Sequence, residues 1–260
     1  LAKKLAAGVT GVGLEVRVAP HGNFGSDFAH ARRNADRYNR VAVRLGLRPV
    51  CVLTDGSRPY QPHIGRGEAL AALAAVLNGE PCTWLAEHHQ LCRRMSDTVA
   101  SILGIDISEP VETAKLRGAH EEMLAAQGAA PSAFWDRAEA IRTAPRTTVS
   151  AERPGWVDYD LGILRTLLVE RQVAGSDPRS PSDPAGVTLL VRPGDHVETG
   201  QPVMAARAVD GAGFADRVRN CLRISPTELR RPIVGACEIV APGESSRPLE
   251  GDFLSATRHV

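Results

Sequence analysis

Residues 50 to 53, Val-Cys-Val-Leu, are a short apolar run of the kind that fills a strand buried on both faces of a parallel sheet. The run stops at Thr54. From Asp55 to Gly67 the chain turns to Gly, Pro, Ser and Arg, and Glu68 then opens an Ala/Leu segment with helical spacing at Leu70, Leu73, Ala74 and Leu77. Strand, long loop and helix in this order predict an α/β sheet. In open α/β sheets, ligands bind in the loops at the carboxyl ends of the strands. That makes Asp55, Ser57, Arg58 and Arg66 the candidate ligand loop.

The preceding stretch supports the same architecture. Leu14-Glu-Val-Arg-Val18 alternates as a strand, a loop follows from Ala19 to Ser26, and a helix is predicted from Asp27 to Leu45. Its apolar positions are Phe28, Ala31, Ala35, Val41, Ala42 and Leu45, and Gly46 to Pro49 turn the chain into the central strand. Strand, helix and strand at this spacing form a right-handed crossover unit. Helical patterns continue over Thr83 to Ile102, Val111 to Gln127 and Pro131 to Ile141.

Composition shifts near Ala144. Strands are predicted at Thr147 to Ala151 and around Trp156-Val157, a helix at Asp160 to Gln172, and a small antiparallel β unit from Gly186 to Ala206. A helix from Gly213 to Leu222 and a strand from Ile233 to Val240 are expected to complete that unit, with a loose tail after Pro242. The fold class is α/β: a partial mixed or parallel sheet with flanking helices over residues 1 to 144, and a smaller C-terminal α+β domain over 145 to 260.

Charge narrows the functions. Net charge is +1 and acidic and basic residues are interspersed, so composition provides no basic face for nucleic acid. Lysine occurs only at Lys3, Lys4 and Lys115, which makes each one informative. Cys51, Cys82, Cys92, Cys221 and Cys237 are widely spaced with no CxxC pair, as suits reduced thiols in a cytoplasmic protein. No apolar run is long enough to cross a bilayer. His88 and Cys92 stand four residues apart beside His89, but third and fourth ligands are not evident, so no metal site is expected. Pro193 to Val203 resembles the paired-turn hairpins of biotinyl and lipoyl carriers, yet no lysine follows Lys115 to carry the group. No Gly-x-Ser-x-Gly elbow is present for an esterase or amidohydrolase.

The start, Leu1 to Ala7, reads as the last two turns of a helix without an N-cap, which suggests a fragment or one half of a split protein. Ala2-Lys-Lys-Leu-Ala-Ala-Gly8 followed by a strand, Leu53-Thr-Asp-Gly-Ser-Arg-Pro59, Ile64-Gly-Arg-Gly-Glu-Ala-Leu70, and Trp156-Val-Asp-Tyr-Asp160 with Gly186, Pro193-Gly-Asp195 and Gly200-Gln-Pro202 occur in that order. Together they resemble the C-terminal portion of the pyrimidine nucleoside phosphorylase family, which includes the thymidine phosphorylases, in its AMP-phosphorylase-like branch. The resemblance implies phosphate-dependent cleavage of an N-glycosidic bond, giving free base and a pentose 1-phosphate. It implies inorganic phosphate as co-substrate, no further cofactor, a nucleoside or nucleotide substrate, and a homodimer when complete. It makes Lys3 the base contact. The family's phosphate-binding segment and the other base contacts lie upstream of the lysine pair. The chain alone is therefore expected to be inactive, working with an N-terminal-half polypeptide or surviving as a non-catalytic partner.

Overall fold

A computed structural model describes residues 1–20, 24–106, 112–173, 183–208, 212–229, 238–244 and 247–248. In chain order the elements are α1 (Ala2–Ala6), β1 (Gly11–Val18), α2 (Phe28–Arg44), β2 (Arg48–Asp55), β3 (His63–Ile64), α3 (Arg66–Leu77), α4 (Thr83–Ile102), α5 (Thr113–Ala126), α6 (Pro131–Thr143), β4 (Thr147–Ser150) and β5 (Gly155–Tyr159). They continue with α7 (Leu161–Val173), β6 (Ala185–Leu189), β7 (His196–Val197), β8 (Pro202–Ala208), α8 (Ala212–Arg219), β9 (Leu222–Ser225), β10 (Glu238–Val240) and β11 (Arg247–Pro248). The fold is mixed α/β, as the patterns predict. Packing divides the chain into two compact units, one from residues 1–58, 88–110 and 233–260, the other from 59–87 and 111–232. The composition shift near Ala144 falls inside the second unit, between α6 and β4.

The first unit is built on a sheet ordered β1-β2-β10-β11. β1 and β2 run parallel, from Gly11 opposite Arg48 to Val18 opposite Asp55. β2 is the central strand the apolar run calls for, with Val50, Cys51, Val52 and Leu53 at most 2% exposed. Its other neighbour is β10, which runs antiparallel with Glu238 opposite Leu53. The strand expected at Ile233 to Val240 therefore completes this sheet rather than the C-terminal β unit, and its residues 233–237 lie outside the described set. A second edge on β2 presents backbone donors and acceptors that need a partner. A distant segment supplies it.

α2 begins where Asp27 caps it, the carboxylate accepting the His30 amide at 2.8 Å. The helix packs through Ala31, Ala35, Asn39 and Ala42, small or hydrogen-bonded residues that let it lie close to the sheet. Val41 and Leu45, expected on that face, are instead 42% and 46% exposed. The position between the alanines is taken by Asn39, whose Nδ2 donates to the Val240 carbonyl at 2.9 Å. Val16, Val18, Cys51 and Leu53 meet Ala31 and Ala35 in one cluster on the α2 side. On the opposite face, Gly11 and Gly13 admit Leu103 and Val99, whose side-chain atoms would stand 3.1 and 2.8 Å from added Cβ atoms.

The second unit holds two antiparallel sheets, β3-β6-β8-β4 and β7-β5-β9. Val149, Val157, Val187, Val197, Val203, Leu164 and Phe214 fill the core between strands and α7/α8, all at most 1% exposed. The helix predicted through Leu222 ends at Arg219, and Leu222–Ser225 forms β9, pairing with β5. Alternation at Leu222 and Ile224 against exposed Arg223 is the strand signal there. The Tyr159 hydroxyl donates to the Val191 carbonyl at 2.7 Å, and burial pushes its pKa up.

Candidate functional site

The parallel pair β1/β2 ends in a built turn. The Gly56 amide donates to the Val18 carbonyl at 2.8 Å, and the Ser57 amide donates to Asp55 Oδ1 at 2.9 Å. This is an Asx-type turn, the aspartate side chain holding the backbone just beyond the strand. An added Cβ on Gly56 would lie 3.2 Å from Arg17 Cβ, so the turn fits closely over the end of β1. Asp55 and Arg58 are half-buried and Ser57 is exposed.

The side chains of Glu15 and Arg17 point away from α2, because strand side chains alternate and the even-numbered positions of β1 take the α2 side. Thr54 pairs with Arg17 in register and donates its hydroxyl to Glu15 Oε1 at 3.1 Å, while Arg17 Nε donates to the same oxygen at 3.1 Å. α4 contributes His88 and Cys92, with Nε2 and Sγ 3.8 Å apart. Burial, then the positive charge of Arg17, holds His88 below the usual imidazole range. Burial, then the Glu15 carboxylate, pushes the Cys92 thiol up.

Five chemistry-bearing side chains, Glu15, Arg17, Thr54, His88 and Cys92, are thus electrostatically coupled near the carboxyl end of the parallel strands. The set offers a guanidinium, one carboxylate, a hydroxyl, a neutral imidazole and a thiol. That is equipment for hydrogen-bonding a polar ligand, not for nucleophilic attack, since a raised thiol pKa disfavours the thiolate. Among the described residues no group of three or more His, Cys, Asp or Glu side chains is placed to hold a metal ion.

Asp55, Ser57 and Arg58, the loop residues that the sequence pattern names, stand at the turn just beyond β2, whereas that pattern does not single out Glu15, Arg17 and Thr54. Their signal is charge at odd positions of the Leu14 to Val18 alternation, at the end of the strand where ligands bind. Lys3 lies elsewhere. It is exposed on α1, and Leu1 beside it packs on Val12, Ala42 and Leu47 at the amino end of β1. β1 and β2 run in register for eight residues, about 23 Å at roughly 3.3 Å per residue. The five-residue α1 rises only about 7 Å and does not span that length. Arg66 is exposed at the start of α3, in the second unit.

No family model matches the chain. Curated proteins do. A protein of Tolumonas auensis is 30% identical over 217 residues, and one of Chelativorans sp. is 31% identical over 220, each bearing the name "Putative thymidine phosphorylase". A protein of Cupriavidus pinatubonensis named bifunctional ribose 1,5-bisphosphokinase-thymidine phosphorylase is 27% identical over 227 residues. These alignments cover 80%, 80% and 84% of this chain. The chain spans about 40% of the length of the curated relatives it matches. The resemblance drawn from the motifs is borne out: the chain is similar to part of a thymidine phosphorylase-like protein. Among the described residues no helix is long and apolar enough to cross a membrane.

Proposed function

We propose that this chain supplies part of a pyrimidine nucleoside or nucleoside monophosphate phosphorylase of the cytoplasm. In that reaction phosphate attacks the anomeric carbon, the N-glycosidic bond breaks, and base and pentose 1-phosphate leave. The observation that carries the reading is the similarity to proteins named thymidine phosphorylase over four-fifths of the chain. The transition state gathers positive charge on the sugar and negative charge on the departing base, so catalysis requires placed charges on both sides. Lys3 is the base contact in this reading, and Asp55, Ser57, Arg58 and Arg66 belong to a ligand-facing loop. The phosphate-holding groups come from an N-terminal-half polypeptide, and the complete enzyme is a homodimer.

The chain by itself is inactive under this proposal. Incubation with uridine, thymidine or AMP plus inorganic phosphate tests it: no free base is expected from the chain alone. Co-expression with a segment that supplies the phosphate site restores base release, and Lys3→Ala abolishes it in the mixture. Base released by the isolated chain, or a mixture indifferent to Lys3→Ala, overturns the respective step. The placement of Lys3 at the amino end of β1 favours a second reading, a non-catalytic phosphorylase-like partner. No mixture is active in that case.

A further inference from the structure

The outer face of α2 carries a feature the phosphorylase reading does not use. Arg33, Arg37, Arg40 and Arg44 recur at intervals of four, three and four residues, which puts them on one stripe of the helix. All four are exposed, and among the described residues no ion pair joins any of them to a carboxylate. The stripe covers about 16 Å at roughly 1.5 Å per residue.

The stripe borders a groove. Two ties fix β10 to α2: Arg32 holds the Glu238 carboxylate with both Nε and a terminal nitrogen, and Asn39, only 2% exposed, donates to the Val240 carbonyl. Beyond β10 the chain turns through Ala241–Glu244, with Gly243 at φ +76, and forms the second wall. The cavity between the walls measures about 910 Å³. Four arginines and His30 line it against two carboxylates, Asp36 and Glu244.

We propose that this groove binds a small polyphosphate-bearing anion of the nucleoside di- or triphosphate class, its phosphates lying along the arginine stripe. Guanidinium groups are suited to phosphate because their fork of donors matches two oxygens at once. A cavity of this volume suits a drug-sized ligand and exceeds what a single phosphate fills. The length of the stripe also exceeds one phosphate. Nucleic acid fits less well. The chain's net charge is only +1, two carboxylates sit in the groove, and among the described residues no Phe, Tyr or Trp lines it as a stacking platform for successive bases.

Calorimetric titration of this chain with ATP, ADP, pyrophosphate, inorganic phosphate and a short single-stranded oligonucleotide tests the proposal, without reference to nucleoside turnover. Saturable binding of ATP and ADP is expected, tighter than that of inorganic phosphate and weakened by raising salt from about 50 to about 200 mM, where screening lengths shorten. Arg37→Ala/Arg40→Ala should weaken ATP binding at least tenfold with an unchanged circular dichroism spectrum. Arg217→Ala, which removes an exposed arginine on α8, should leave it unaltered. The proposal fails if no polyphosphate binds at millimolar concentration, if the double variant binds ATP as the parent does, or if the oligonucleotide binds more tightly than ATP.

Discussion

Arg207 grips Glu68 through two hydrogen bonds of 2.8 Å, one from Nε and one from a terminal nitrogen, with the glutamate side chain wholly shielded from water. Arg146 adds a third donor to the same carboxylate at 3.1 Å, and the terminal Arg207 nitrogen that holds Glu68 also donates to Asp183 Oδ2 at 2.9 Å. The network ties the first turn of α3 to β8 of the second unit. Glu68, which in the sequence marks the start of a helix and stands within the Ile64–Leu70 motif, is its centre.

Burial by itself raises the Glu68 pKa, but the hydrogen bond and charge of Arg207, assisted by Arg146, outweigh it and leave the carboxyl below its ordinary value. A carboxyl depressed in the folded state stabilises the fold above its unfolded pKa, near 4.5, and that contribution is lost as pH falls through the folded value. Glu68→Gln should therefore destabilise the protein at pH 7 by about 3 kcal/mol, since it leaves Arg207 buried with one charge partner fewer. Urea unfolding measures this. The gap between variant and parent should narrow as the pH drops below about 4.5; a gap independent of pH would show that the charge of Glu68 is not what matters.

The same carboxylate explains a glycine. A Cβ at Gly186, in β6, would come within 1.5 Å of Glu68 Oε2, and the carboxylate cannot move aside without breaking its arginine bonds. Gly186→Ala is expected to cost about 3 kcal/mol or more, at the upper end of overpacking losses. Gly79 provides the contrast, with φ +76 and nothing within 4 Å of its would-be Cβ. Gly79→Ala should cost only about 1 kcal/mol, the strain of a left-handed residue. Equal midpoints for the two variants in thermal unfolding would contradict this account.

Local pattern carried the sequence reading as far as local causes reach. β2, α4, α6 and the crossover unit follow from apolar periodicity and turn residues, and they appear where that periodicity puts them. The strand expected over Ile233 to Val240 contains β10, but its pairing with β2 does not follow from local pattern, because β2 lies almost two hundred residues away and only its open edge selects β10. Val41 and Leu45 face outward because Asn39, a polar residue, is buried by its bond to β10, which no helical wheel anticipates. At the candidate site, Asp55 and Ser57 were legible as turn residues after a strand. Glu15, Arg17 and Thr54 acquire meaning only once the register shows them on one face. Arg207 lies 139 positions from Glu68 and left no trace in spacing at all.

Thiol reactivity should divide the cysteines sharply. Burial pushes Cys51 and Cys221 up to about 12, and both side chains are closed to solvent. Cys82 is exposed. Brief iodoacetamide treatment of the native protein at pH 8 should alkylate Cys82 and leave Cys51 and Cys221 unmodified until denaturant is added, as peptide mass mapping reads directly. Alkylation of Cys51 in the native state would mean that β2 is not covered on its α2 side.

Asn39 holds the sheet edge to α2 from inside. Its Nδ2 satisfies the Val240 carbonyl, and its Oδ1 accepts the Cys51 thiol at 3.4 Å, so both ends of the amide are used in a place water does not reach. Asn39→Ala removes the donor and leaves that carbonyl without its partner, a loss of about 1–3 kcal/mol for a buried polar group. The effect should be local as well as global, because β10 is only three residues long and depends on this tie and on Arg32–Glu238 for its position. Hydrogen exchange should therefore accelerate at Ile239 and Val240 by more than it does in the β1/β2 pair, where eight registered residues remain intact. Uniform acceleration across both pairs would assign Asn39 a role in global stability alone. Unchanged exchange in β10 would show that the strand is held by its pairing with β2 without help from the helix.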